Sequence, residues 1–101
     1  MLIPDANVLL YAINEQAPHH LSSKRWIEAA LSGTETVGFD WVVLLGFLRL
    51  ATKRGVLPSP LPIADAWNEV DNWTARSIAT VITPGDTHSA RLRRLIEGVG
   101  T

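Results

Sequence analysis

Three short apolar segments, separated by longer segments with helical character, constrain the fold of this chain more than any other feature. They comprise residues 1–5, ETVGF at 35–39 and the β-branched SIATVIT at 77–83, and each is predicted to form a β-strand. Because helical segments separate them, the pattern predicts an α/β sandwich with a mainly parallel sheet. Three strands leave two sheet edges to protect, which indicates an incomplete fold of this class.

Five segments carry helical signals. The third, from Asp40 to Lys53, is apolar on all sides, which predicts a buried helix. The fourth is predicted to be amphipathic and to pack through residues at helical spacing, namely Ile63, Trp67, Val70 and Trp73 or Thr74. The other helices are predicted from about Asn7 to Asn14, from Pro18 to Leu31 and from Thr87 to Glu97.

Size and composition indicate a single domain covering residues 1–101. The formal net charge is −1 at pH 7, so the overall charge of the protein does not indicate a nucleic-acid partner. A local patch of positive charge would nevertheless be sufficient to bind one. The chain has no cysteine, which excludes disulfides, zinc–thiolate sites and cysteine nucleophiles. It has neither a leader pattern nor an apolar run of about 18 residues. The expected location is therefore the cytoplasm, without a membrane partner.

An acidic residue follows each predicted strand: Asp5, Asp40 and Asp86. Ligands bind at the carboxyl ends of strands in open parallel sheets, and clustered carboxylates hold Mg²⁺ or Mn²⁺, which can promote phosphodiester hydrolysis. Helix capping alone explains Asp40 and Asp86, because each precedes a predicted helix. Asp5 can also cap a helix, but it follows a predicted buried strand, and few nearby residues could neutralise the charge of its carboxylate. A role as a metal ligand is therefore favoured for Asp5.

The other polar candidates have simpler interpretations. Asn7 can cap the first helix, orient Asp5 through a hydrogen bond, or do both. His19 and His20 point about 100° apart on a helix, which favours a surface or helix-start role over a shared metal ion. His88 is interpreted as structural or partly exposed. SGTETVG lacks the lysine and the spacing of a phosphate-binding loop.

Four stretches, in order, resemble the PIN-domain family over essentially the whole chain: IPDANVLLYAIN, HHLSSKRWIEAAL, WVVLLGFLRLATKRGVLPSPL and ITPGDTHSARLRRLIEGVGT. The resemblance is closest to VapC-type toxins of bacterial toxin–antitoxin pairs, and GFLRLAT followed by a Pro-containing loop is its most specific part. It implies a PIN-like α/β/α sandwich. It also implies a Mg²⁺- or Mn²⁺-dependent endoribonuclease that a small VapB-type antitoxin holds inactive.

The resemblance also assigns roles to particular residues. The first family acid, a catalytic metal ligand, falls on Asp5, and a polar residue that helps to order the site falls on Asn7. Arg49 matches an arginine often found at this point, and we expect it to contact RNA or the antitoxin. The second family acid falls on Gly46, which cannot ligate a metal. The family continues past GVGT into a segment with further acids and a further strand, so a truncated, proteolysed or split form is expected.

Two hypotheses of different classes follow. The first is a ribonuclease toxin whose activity is impaired because Asp5 is its one certain ligand. The second is a non-catalytic module that binds an antitoxin or another copy of itself. Exposed sheet edges favour a homodimer or a larger assembly, including one with swapped elements. A flavodoxin-like ligand-binding domain is a weaker third option, because it needs a phosphate-binding loop and none is recognisable in the sequence.

Overall fold

The sheet is parallel, as expected for an α/β fold. In a computed structural model of the protein, residues 1–83 are described. Strand β1 (Val37–Asp40) pairs in parallel with strand β2 (Ala79–Ile82). Val37 lies opposite Ala79 and Asp40 lies opposite Ile82, so both strands end at the same edge of the sheet.

The predicted first strand, residues 1–5, is reduced to one isolated bridge, so its predicted extent is wrong. The Leu2 N–H donates to the Thr36 carbonyl at 2.9 Å, and the Gly38 N–H donates to the Leu2 carbonyl at 2.7 Å. Pro4 has no N–H with which to extend this ladder, and the chain then turns into a helix. The N-terminal segment nevertheless runs parallel to β1, on the side of β1 opposite β2.

Four helices within residues 1–83 connect these segments, and the first three begin and end within two residues of the predicted bounds. None of them is long and apolar enough to cross a membrane. The predicted helix from Thr87 to Glu97, together with Asp86 and His88, lies outside the described residues. The described helices are α1 (Ala6–Ile13), α2 (His20–Ser32), α3 (Trp41–Thr52) and α4 (Ile63–Thr74).

An aromatic cluster joins the sheet to α3 and α4. The Trp73 ring stacks on Phe39 of β1, with centroids 6.4 Å apart and planes 7° apart. The same ring meets Phe47 of α3 edge to face at 5.0 Å. Phe39 and Phe47 are fully buried, and Trp73 is 8% exposed. Aromatic pairs of this geometry add to the stabilisation that burial gives, so this cluster holds one face of the sheet against two helices.

Two predictions about helix faces are wrong. α3 is not buried all round, because Val42 is 41% exposed and Leu45 is 56% exposed. In α4, Ile63 is 55% exposed and Trp67 is 39% exposed, although both were expected to face the core. The buried face of α4 is formed instead by Ala66, Val70 and Trp73.

Candidate active site

Asp5 lies where the N-terminal segment turns into α1. Its Oδ1 accepts a hydrogen bond from the Val8 N–H at 2.8 Å, and its carbonyl oxygen accepts one from the Leu9 N–H at 3.3 Å. Asp5 is therefore the N-cap of α1. It is exposed, so the expectation of a buried charge with nothing to neutralise it is wrong. Its Oδ2 makes no hydrogen bond or ion pair with residues 1–83 and remains accessible to a ligand.

Asn7 does not cap α1, and this part of its predicted role is wrong. It lies in the first turn of the helix, after the cap residue Asp5. Its side chain is exposed and makes no hydrogen bond to Asp5 or to any other described residue. The orienting role proposed for Asn7 therefore has no hydrogen bond to support it in this conformation.

Asp40 lies at the same edge of the sheet as Asp5. Leu2 pairs with Val37 across the sheet. Asp5 lies three residues after Leu2, and Asp40 lies three residues after Val37. Asp40 is 2% exposed, and its Oδ1 accepts a hydrogen bond from the Val42 N–H at 2.9 Å. It is the N-cap of α3, as its sequence position predicts. Of the three acids expected at this edge, two are thus described there, one exposed and one buried.

Gly46 faces the N-terminus of α1. A Cβ placed on Gly46 would lie 3.9 Å from the Ala6 Cβ, which is an ordinary van der Waals distance. Ala6 lies between Asp5 and Asn7, so position 46 is adjacent to the two residues of the opening motif. The resemblance places the second family acid at this position, and the contact is consistent with that placement. Gly46 itself offers no side chain for a metal or a proton.

Replacing Gly46 by alanine is expected to stabilise the protein. Glycine inside a helix is less favourable than alanine by about 0.5–1 kcal/mol, and the new methyl group would meet Ala6 without a clash. The free energy of unfolding, measured in urea by circular dichroism, should rise by that amount. Gly55→Ala is the control: Gly55 has a φ of 87°, so alanine there should destabilise the protein. A loss of stability in Gly46→Ala would contradict the described packing of α3 on α1.

The histidine pair lies at the start of α2, as the sequence favours. His20 Nδ1 lies 2.8 Å from the Tyr11 carbonyl oxygen, and because a carbonyl only accepts, Nδ1 carries the proton. This bond joins the first turn of α2 to α1. The His19 ring lies 5.6 Å from the Tyr11 ring at a tilt of 53°. Within residues 1–83, no three His, Asp or Glu side chains are grouped closely enough to hold a metal ion.

Arg49 lies in the last turn of α3 and is exposed. Its guanidinium forms no hydrogen bond or ion pair with the part of the chain that the structure describes. Arg49 lies one turn beyond Gly46 on the same side of α3. Its predicted contact with RNA or an antitoxin stays a prediction, and its exposed position one turn beyond Gly46 is compatible with either.

Comparison with known proteins identifies the family. The family model described as PIN domain matches residues 2–100. The chain belongs to the PIN-domain family. It is 50% identical over all of its 101 residues to Ribonuclease VapC37 of Mycobacterium tuberculosis, of which it covers 70%. It is 37% identical to Ribonuclease VapC33 of the same species, of which it covers 71%. It is 34% identical over 99 residues to VapC ribonuclease Mb2897 of Mycobacterium bovis, of which it covers 67%.

These matches confirm the resemblance to VapC-type PIN proteins and, with it, the fold class. The α/β fold of residues 1–83, with its short parallel sheet and helices α1–α4, is consistent with a PIN-like sandwich. The relatives are ribonucleases by name. The roles of Asp5, Asn7 and Arg49 remain predictions, because no comparison assigns a function to individual residues.

Proposed function

We propose that this PIN-domain protein is an endoribonuclease toxin of the VapC type, which hydrolyses phosphodiester bonds of RNA. The observation that supports this most strongly is its 50% identity, over the full chain, to a protein named as a VapC ribonuclease. The position of an exposed aspartate at the carboxyl edge of a parallel sheet is consistent with this activity, because ligands bind at that edge in such folds. Asp5 is the residue on which the proposal depends.

A divalent metal, Mg²⁺ or Mn²⁺, is the cofactor that this chemistry favours. The Asp5 carboxylate is a hard oxygen ligand, is accessible, and uses only Oδ1 for the helix cap. Mg²⁺ commonly binds through one or two protein carboxylates and completes its shell with water and substrate phosphate, so Asp5 fits this role. A bound metal would polarise the scissile phosphate and lower the pKa of an attacking water. With Gly46 in place of a second acid, we expect weak metal affinity.

Asp5 and Asp40, at the carboxyl edge of the sheet, have different roles in the proposed site. Asp5 would hold the metal while its backbone and Oδ1 fix the start of α1. Asp40 is almost completely buried and caps α3, so it would position the helix that carries Gly46 and Arg49. A VapB-type antitoxin is the expected protein partner, and a homodimer or larger assembly is the expected state.

The test of the proposed function is metal-dependent cleavage of RNA by the purified chain. We expect labelled single-stranded RNA to be cut slowly in Mg²⁺ or Mn²⁺ and to stay intact when a chelator removes the metal. Readdition of Mn²⁺ should restore cleavage, because the metal would complete the site at Asp5.

A different outcome would favour a non-catalytic interaction module. In that case the protein would bind a co-expressed antitoxin but leave RNA intact at every metal concentration. Cleavage that continues unchanged in excess chelator would contradict the proposed cofactor while leaving a nuclease activity in place.

A further inference from the structure

A group of three cations follows the candidate active site along α3. Arg49 lies in the last turn of α3, Lys53 is its C-cap, and Arg54 follows directly. We propose that these three residues, called the cationic strip, bind the phosphate backbone of the RNA substrate beside Asp5. The inference rests on the proposed function and adds residues that position the substrate.

The geometry of α3 places two members of the cationic strip, Arg49 and Lys53, in one line that leads away from the site. A Cβ at position 46 would lie 3.9 Å from the Ala6 Cβ at the start of α1, and residues three and seven positions later share that side of a helix. At 1.5 Å per residue, Arg49 and Lys53 lie about 4.5 and 10.5 Å beyond Gly46 along the axis. A strand whose phosphate is held at Asp5 would therefore pass these two cations in succession.

Arg54, the third cation, lies in the turn that follows α3. Arg54 forms an isolated bridge with Leu57, and Gly55 between them has a φ of 87°, which glycine adopts readily. Leu57 is 8% exposed and belongs to the core. The turn is therefore anchored, and Arg54 is held next to the end of α3.

The cationic strip has no internal charge partner among residues 1–83. All three side chains are exposed, and none forms an ion pair or donates a hydrogen bond to a described residue. Arg76 provides a contrast, because its guanidinium bonds the Leu31 carbonyl and the Ser32 hydroxyl at 3.4 and 3.2 Å. Cations left unpaired beside a phosphodiester site are suited to bind phosphates.

The chemistry of the cationic strip favours backbone contacts over base recognition. No aromatic side chain occurs in residues 48–57, so this segment offers no platform on which bases could stack. Arginine and lysine contacts to phosphate fix the position of a nucleic acid without reading its sequence. We therefore expect the cationic strip to strengthen binding to single-stranded RNA of any sequence.

The salt dependence of RNA binding tests this inference without requiring activity. Binding of a labelled single-stranded RNA is measured by fluorescence anisotropy in the presence of a chelator, at several salt concentrations. Each phosphate contact contributes about 0.7 to the slope of log affinity against log salt for single strands. The double variant Arg49→Gln/Lys53→Gln should lose about 1.4 of that slope. Between about 50 and 200 mM salt, wild-type affinity should then fall about 7-fold more than that of the variant.

Two matched variants separate the cationic strip from general effects of charge and stability. Lys24→Gln/Arg25→Gln removes the same charge from exposed positions on α2, and we expect the slope to stay near the wild-type value. Arg49→Lys/Lys53→Arg keeps the charge of the cationic strip and should also keep the slope. A purely structural role at the C-terminus of α3 would lower the melting temperature of the glutamine variant and leave its slope unchanged.

Several results would overturn the inference. An unchanged slope in Arg49→Gln/Lys53→Gln would show that these two residues do not bind phosphate. An equal loss in the α2 control would show that the change in slope reflects overall charge and not the cationic strip. Intact RNA binding with lost antitoxin binding would assign these residues to the protein partner. If any of these results is obtained while the wild-type protein cleaves RNA, the inference about the cationic strip fails and the proposed function stands. A wild-type protein that neither binds nor cleaves RNA would refute the proposed function as well.

Discussion

Asp5→Asn is expected to lower the rate of RNA cleavage in Mg²⁺ by at least about 100-fold, since even residues that only support a metal ligand commonly contribute 10–100-fold. The amide removes the negative charge and one oxygen ligand. It keeps an oxygen that can accept the Val8 N–H bond, and asparagine is as good an N-cap as aspartate. The fold should therefore persist, with the free energy of unfolding close to the wild-type value. Single-turnover cleavage and urea unfolding are the two measurements.

Two further variants distinguish the metal role of Asp5 from its structural role. Asp5→Ala should lose activity in the same way and should also lose about 1 kcal/mol of stability, because no side chain then caps α1. Asp65→Asn removes a negative charge from the first turn of α4 and should leave cleavage unchanged. Full activity in Asp5→Asn would disprove the metal role. Equal loss of activity in Asp65→Asn would instead indicate a general effect of charge.

The helices and the parallel pairing of the strands could be predicted because local signals determine them. The segment WVVLLGFLRLAT follows an aspartate that caps it, and α3 begins at Trp41 as its sequence indicates. The β-branched segment at 77–83 becomes β2 over Ala79–Ile82. These properties depend on spacing and side-chain type within a short window, which the sequence displays directly.

The faces of the helices and the environment of Asp5 could not be predicted, because they depend on contacts between distant segments. Trp67 and Trp73 are equally plausible core residues by spacing, but the packing of α4 on α3 buries Trp73 and exposes Trp67. Asp5 was expected to be buried because apolar residues precede it. The early turn into α1 leaves it at the surface, where it caps the helix instead of Asn7. The resemblance nevertheless assigned the first two family acids to positions 5 and 46, and in the structure position 46 faces Ala6, the residue after Asp5.

The buried Trp73 offers the largest expected effect on stability. Trp73→Ala would remove the ring that stacks on Phe39 and meets Phe47, and deletion of a buried aromatic side chain commonly costs about 3–5 kcal/mol. That is a large fraction of the stability of a domain of this size, so we expect a large fall in the urea midpoint measured by circular dichroism.

Trp67→Ala is the matched control on the same helix. Trp67 is 39% exposed and Trp73 is 8% exposed, so the same chemical change should cost less than about 1 kcal/mol at Trp67. The difference between the two variants isolates the contribution of burial, because helix propensity and the loss of one indole are common to both. Equal losses would show that α4 does not present Trp73 to the core, and would contradict the packing that joins α4 to α3 and β1.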